Sequence, residues 1–242
     1  MYKEYFDKKR LITFDLDGTT VRSEPAWDTA FRSVCKVVGL DPLDTGPTGT
    51  TLEERWKAIL AASKPETVRP LAELVELTKN EYVKSLDKLE VTEGFWPFVY
   101  ELKTEKKLKL ALATNTDRVI TDRVIAALEL KPVFDFVICG DEVKSPKPSP
   151  EIYKKVLAHF GISAGETLAF EDSLTGCISA AKAGIKLLCI WDQLTPKRKF
   201  PDEVVGYAGD FTPFPGQLDT TYYEDILQLA KEQENPKAEP II

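Results

Sequence analysis

An α/β fold is predicted, with a three-layer core built on a parallel sheet and an inserted α-helical domain. Three observations predict it. From residue 95 onward, short apolar runs alternate with segments of helical spacing. Those runs lack the polar alternation of a half-exposed sheet, so they read as strands buried on both faces by helices. Between residues 23 and 93 the texture is helical throughout, with no strand pattern. The expected organisation is a discontinuous core, residues 1–22 and 94–242, interrupted by a cap at 23–93. A polar, proline-containing tail at 232–242 is expected to fray.

Taken in order, residues 11–14 form an apolar run bounded by charge, which predicts a first strand. The cap then shows Ala26, Trp27, Ala30, Phe31, Val34 and Val38 at helical spacing, and Leu52, Trp56, Ile59 and Leu60 repeat the pattern. Leu71, Leu74 and Val75, then Tyr82, Val83 and Leu86, continue it. The stretch 44–51 between the first two cap helices is a Gly/Pro loop. Its small hydroxyl residues are placed to meet a ligand, or it is a plain connector in which Thr51 caps the next helix. In the core, helices are expected at 95–104 and around Ile120 to Leu128, and strands at 108–113, 136–139, 167–170 and 186–190. Ser149 followed by Pro150 predicts an N-cap with a first-turn proline, and Gly184 is placed to end the helix through Leu174 and Ala181.

Composition limits the function. The chain has 242 residues, 43% of them apolar and 29% charged, as expected of a folded domain. A net charge of −7 disfavours a nucleic-acid partner. Cys35, Cys139, Cys177 and Cys189 form no CxxC pair and lie near no histidine cluster, which argues against zinc and suits a reducing cytoplasm. The charged N-terminus does not read as a secretory signal, and no apolar run is long enough for a membrane span. The sequence carries no signal of oligomeric state.

The candidate chemistry gathers at one sheet edge. The first strand ends in Asp15 and Asp17, another in Thr114 and Asn115, and another in Glu171 and Asp172, while Lys147 precedes the helix opened by Ser149. Ligands of parallel sheets bind at the carboxyl ends of the strands. Any one of these groups alone reads as a turn or a cap. Together they suit phosphate chemistry: carboxylates for a hard divalent cation such as Mg2+, a carboxylate able to attack phosphorus, and a lysine to neutralise the approaching anions. Asp17, two residues past Asp15, is placed for proton transfer.

Asp15-Leu16-Asp17-Gly18-Thr19, Thr114-Asn115, Lys147-Pro148-Ser149-Pro150 and Glu171-Asp172-Ser173 resemble, in order and spacing, the four motifs of the haloacid dehalogenase superfamily. The insertion resembles the helical cap of the subgroup holding phosphoglycolate phosphatase and β-phosphoglucomutase. The resemblance implies a Rossmann-like core with an inserted, mobile α-helical cap domain, Mg2+, a small phosphorylated metabolite as substrate, and a phosphoaspartate intermediate. It makes Asp15 the nucleophile and a metal ligand, and Asp17 the acid/base that also binds metal through its carbonyl. Thr114 and Asn115 become the phosphoryl-binding pair, Lys147 the neutralising cation, Asp172 a metal ligand, and Glu171 a direct or outer one. It further implies that Gly18 allows a tight turn and that Ser173 approaches the metal shell.

The residues favour a phosphatase over two alternatives, a sugar phosphomutase and a non-catalytic binding protein. The mutase carries a histidine where this chain has Trp27 and a lysine where it has Asp117. Dehalogenases lack the second aspartate. His159, the single histidine, is expected to pack or face solvent. Trp27 and Trp56 are expected in the core. Arg22, Glu24, Arg55, Lys57 and Arg118 are expected as solvated charges with access to the cleft as the alternative, and Lys197, Arg198 and Lys199 as a solvated loop.

Overall fold

The computed structural model describes residues 3–42, 51–63 and 69–214. Most of the expected ligand-facing loop at 44–51, and the tail at 232–242, lie outside them. The strands are β1 (Leu11–Phe14), β2 (Lys109–Ala113), β3 (Phe136–Ile138), β4 (Thr167–Glu171), β5 (Lys186–Ile190) and β6 (Val204–Ala208). The α-helices are α1 (Glu24–Val38), α2 (Leu52–Ser63), α3 (Leu71–Val83), α4 (Phe95–Thr104), α5 (Arg118–Ala127), α6 (Glu151–Phe160) and α7 (Leu174–Lys182).

The strands form one sheet in the order β3-β2-β1-β4-β5-β6, with every pairing parallel. The chain builds outward from β1 in one direction through β2 and β3. It then crosses back to lay β4 on the other side of β1. That reversal opens a crevice at the carboxyl ends of β1 and β4, where no crossover connection covers the edge.

Alternation along the central strands divides the core in two. Ile12, Phe14, Leu110, Leu112, Leu168 and Phe170 face α4 and α5, and Phe14 stacks on Phe170 at 5.2 Å. Leu11, Ala111, Ala113 and Ala169 face α6 and α7. A third apolar cluster lies among α1, α2 and α3, built from Phe31, Val34, Cys35, Trp56, Ile59, Leu74 and Val75. Trp56 is fully buried there and donates its indole N–H to Thr78 Oγ1 at 3.0 Å. α1–α3 thus have an apolar cluster of their own, while Ala30 of α1 and Tyr82 of α3 also join the sheet-side core. No helix among the described residues is long and apolar enough to cross a membrane.

Two details differ from the sequence expectation. β6 adds an edge strand beyond the expected sheet. Its Val-Val-Gly-Tyr-Ala run is short, half-buried and broken by a glycine, so it gives little strand signal. The helix α6 takes Pro150, not Ser149, as its N-cap, although Ser149 Oγ still accepts from Glu151 N at 3.3 Å. Thr51 does cap α2: Glu54 N donates to its Oγ1 at 3.2 Å while Thr51 N donates to the Glu54 carboxylate at 2.9 Å. His159 stacks on Phe136 at 3.9 Å, a packing role.

Candidate active site

The loop after β1 has little freedom. Asp15 N extends the ladder by donating to Phe170 O at 3.0 Å, and Thr20 Oγ1 donates to Asp15 O at 2.6 Å. Gly18 sits at φ 76°, and a Cβ added there would lie 2.2 Å from Asp172 Oδ2. Only glycine satisfies both the left-handed backbone and the close approach of the neighbouring carboxylate. Thr92 Oγ1 donates to Thr19 O at 2.6 Å, tying the loop to the segment that leaves α3.

Lys147 joins the strand ends. Its ammonium donates to Asp15 Oδ1 at 2.6 Å, Glu171 Oε1 at 2.7 Å and the Ala113 carbonyl at 2.7 Å. Asn115 clamps its backbone: Lys147 N donates to Asn115 Oδ1 at 2.9 Å, and Asn115 Nδ2 donates to Lys147 O at 3.3 Å. The bond between Lys147 and Pro148 is cis. Glu171 is wholly buried, and its Oε1 also accepts from the Tyr153 hydroxyl. Its Oε2 has no hydrogen-bond partner, and a Cβ added at Gly176 would lie 1.9 Å from it.

The charges do not balance. Asp15, Glu171 and Asp172 each offer a carboxylate oxygen, all within 4.8 Å of one another, against one ammonium. Burial pushes the Asp15 carboxyl up to about 8 despite the pull of Lys147, with Glu171 adding to the rise. Burial raises Asp172 well above the carboxylate range, and Asp15 and Glu171 raise it further. Burial opposes the charge on Lys147, but Asp15 and Glu171 outweigh it, so the ammonium holds its proton strongly. A cluster of oxygen donors with surplus negative charge fits a hard divalent cation. Asp15, Asp172 and the partnerless oxygen of Glu171 are the donors that fit it. The side chain of Asp17 is not among them.

Asp17 is held differently. Oδ1 accepts from Ser23 Oγ at 2.5 Å and from Trp27 Nε1 at 2.9 Å, and Oδ2 accepts from Thr116 Oγ1 at 2.6 Å. The Trp27 indole stacks on Tyr82 of α3 at 3.7 Å. Trp27 thus packs against the core cluster, as expected, while the polar edge of its indole serves a catalytic candidate. Ser23, Thr116 and Tyr153 are likewise site residues that the sequence reading missed. Only Trp27 carried a sequence signal, its place ten residues beyond Asp17.

Above these groups a cavity of about 680 Å3 opens between α1–α3 and the sheet edge, lined by Asp15, Asp17, Thr114, Asn115, Lys147 and Asp172. All the expected site residues except Glu171 thus line one cavity, and Glu171 lies behind it against Lys147. Glu24 and Arg55 also line the cavity rather than standing as solvated charges. Arg22, Lys57 and Arg118 pair instead with Glu93, Glu53 and Glu142. Ser173 lines the cavity and caps α7, accepting from Gly176 N at 3.0 Å.

A doubly wound parallel sheet with buried carboxylates and one lysine at its switch point is the framework of an α/β phosphomonoester hydrolase. The chain belongs to the haloacid dehalogenase-like hydrolase family, whose profile matches residues 12–190. It is similar to protein CbbY of Rhodobacter capsulatus, 33% identical over 193 residues that cover 74% of this chain and 84% of that one. It is 29% identical to a phosphorylated carbohydrates phosphatase of Thermotoga maritima, over 72% of this chain and 82% of the other. The fold matches that of CbbY from Rhodobacter sphaeroides in complex with phosphate, with TM-score 0.76 and 24% identity over 86% of this chain and 97% of that one.

Proposed function

We propose that this hydrolase removes phosphate from small phosphorylated sugars or related metabolites, using Mg2+ and an aspartyl phosphate formed on Asp15. The observation that carries the reading is the Lys147 ammonium lying 2.6 Å from Asp15 and 2.7 Å from Glu171, with Asp172 beside them. A lysine that keeps its charge between buried carboxylates neutralises one anion so that another can approach. The sugar and metabolite scope is supported by relatives named for phosphorylated carbohydrates and for hexitol phosphate.

In this reading a carboxylate oxygen of Asp15 forms a bond to phosphorus as the ester P–O bond breaks. Protonated Asp17 gives its proton to the departing oxygen. Asp17, now a base, takes a proton from water as that water attacks the aspartyl phosphate, releasing inorganic phosphate and restoring Asp15. Thr114 and Asn115 line the phosphoryl end, and Asn115 also fixes the backbone that presents Lys147. Asp15, Asp172, Glu171 and the Asp17 carbonyl would hold Mg2+, which supplies charge neutralisation to the phosphoryl oxygens when bound. The residues 23–93 would act as a cap domain over a core of 1–22 and 94–242, as the separate apolar cluster among α1–α3 supports. Four free, buried cysteines support a reducing, cytoplasmic setting.

The test is a phosphate-release screen over sugar phosphates, polyol phosphates, phosphoglycolate and nucleotides, with and without Mg2+. Metal-dependent release is expected, and Asp15→Asn should lower it by about 10^3-fold or more. Near-normal turnover by that variant would refute the mechanism. With β-glucose 1-phosphate and a trace of the bisphosphate, isomer formation faster than phosphate release would favour a mutase instead.

A further inference from the structure

We propose that the Lys79–Asp117 ion pair is a specificity filter: it keeps the Lys79 ammonium from the substrate, so the cleft selects phosphomonoesters whose leaving group carries no second anion. This rests on reading the cleft as the active site of a phosphomonoester hydrolase.

Among the described residues lining the cleft, the cations are Arg55, Lys79 and Lys147. Each is already engaged by a carboxylate. Lys147 serves Asp15 and Glu171 at the phosphoryl end. Arg55 Nη2 lies 2.7 Å from Asp28, and its guanidinium lies over the Phe31 ring at 4.0 Å. Lys79 Nζ lies 2.8 Å from Asp117 Oδ2 and 2.9 Å from Glu76 Oε1. Glu24, Glu53 and Asp141 line the same space.

The Lys79 pair differs from an ordinary surface pair in two ways. It crosses the cleft, from α3 to the residue that opens α5. Its two side chains are only 23% and 21% exposed, so water screens it weakly. Asp117 cannot turn aside, because its other oxygen caps α5 by accepting from Ile120 N at 3.1 Å. A second phosphate or a carboxylate on the substrate would have to draw Lys79 away and would leave a fixed, partly buried Asp117 carboxylate facing it. Truncating or diverting one partner of such a pair is costly, and like charges across an interface discriminate against the wrong ligand. A sugar or polyol leaving group asks for no cation, and its hydroxyls can donate to the acidic lining.

Asp117→Asn removes the charge and keeps a side chain that caps helices equally well. The experiment compares kcat/KM for a sugar monophosphate, the bisphosphate of the same sugar, and phosphoglycolate, with Mg2+ present, in the native chain and in Asp117→Asn. The native chain should prefer the sugar monophosphate by about tenfold or more, and Asp117→Asn should narrow that ratio by about tenfold. Adding Lys79→Met to Asp117→Asn should restore the discrimination, which a general loosening of the fold would not do. Affinities of the three esters for Asp15→Asn, with and without Asp117→Asn, report the same preference without turnover. A native chain that takes the bisphosphate or phosphoglycolate as readily as the monophosphate overturns the filter, and so does a ratio that Asp117→Asn leaves unchanged. If no ester releases phosphate, the reading of the reaction fails, and the affinity ratios on the Asp15→Asn background still decide the filter.

Discussion

Asp17 accepts three hydrogen bonds, and its donors come from two parts of the fold. Ser23 and Trp27 lie at the start of α1, and Thr116 lies in the loop after β2. The carboxylate therefore bridges the helical layer and the sheet edge, and its orientation depends on both. Trp27→Phe keeps an aromatic ring against Tyr82 but loses the N–H. It is expected to lower kcat by about tenfold, a part of what a positioned acid/base contributes, with KM little changed. Steady-state kinetics on the best ester from the screen check this. Glu24 is a second residue-scale case. Burial, and then the nearby Asp17, push its carboxyl up to about 7 against the pull of Arg55. The fold favours the protonated form, so this contribution to stability is complete below the ordinary value of 4.5 and is lost as pH rises through about 7. In metal-free thermal melts, Glu24→Gln should flatten part of the fall in Tm over that window. Parallel curves for the two proteins would contradict it.

Each element that carries a site residue is held at its end, where the chemistry is. Ser173, immediately after Asp172, caps α7, and Asp117, three residues after Thr114, caps α5. The helical layer depends on similar local devices. In α2 the Thr51–Glu54 capping box satisfies first-turn N–H groups reciprocally. Thr51→Ala should cost about 1 kcal/mol in urea unfolding, with phosphate release altered less than stability. α1–α3 were legible from periodicity because each buries one apolar stripe. β6 was not legible, because an edge strand that is half-exposed and broken by Gly206 has neither the continuous apolar run of β4 nor a clean alternation. The cap of α6 moved by one residue because Ser149 and Pro150 are both competent at helix starts, and only the backbone distinguishes them.

For the whole molecule, three carboxylates and one lysine gathered at the centre of the sheet edge hold a surplus of negative charge when ionised. A ligand that binds the folded state and not the unfolded one stabilises the fold by mass action. Mg2+ should therefore raise Tm in the absence of substrate, EDTA should reverse the rise, and Asp172→Asn should abolish most of it. Calorimetry reads this independently of turnover, and an unchanged Tm at saturating Mg2+ would count against the metal site.

The sequence by itself determined the strand and helix pattern around the sheet, the helical insertion, and the identity of Asp15, Asp17, Thr114, Asn115, Lys147, Glu171 and Asp172 as a candidate set. Those are properties of short-range periodicity and of residues placed at the ends of apolar runs. Only the tertiary structure decided what each of them touches. Lys147 reaches Asp15 across 132 positions of chain, Asp17 meets Thr116 across 99, and Asn115 turns out to grip the backbone of Lys147. Trp27 packs its ring on the core and turns its N–H to a carboxylate, and Lys79 is matched to Asp117, because the strand order and the seating of α1–α3 over the sheet bring them together. Such partnerships depend on packing at ångström range, and no periodicity along one chain encodes them.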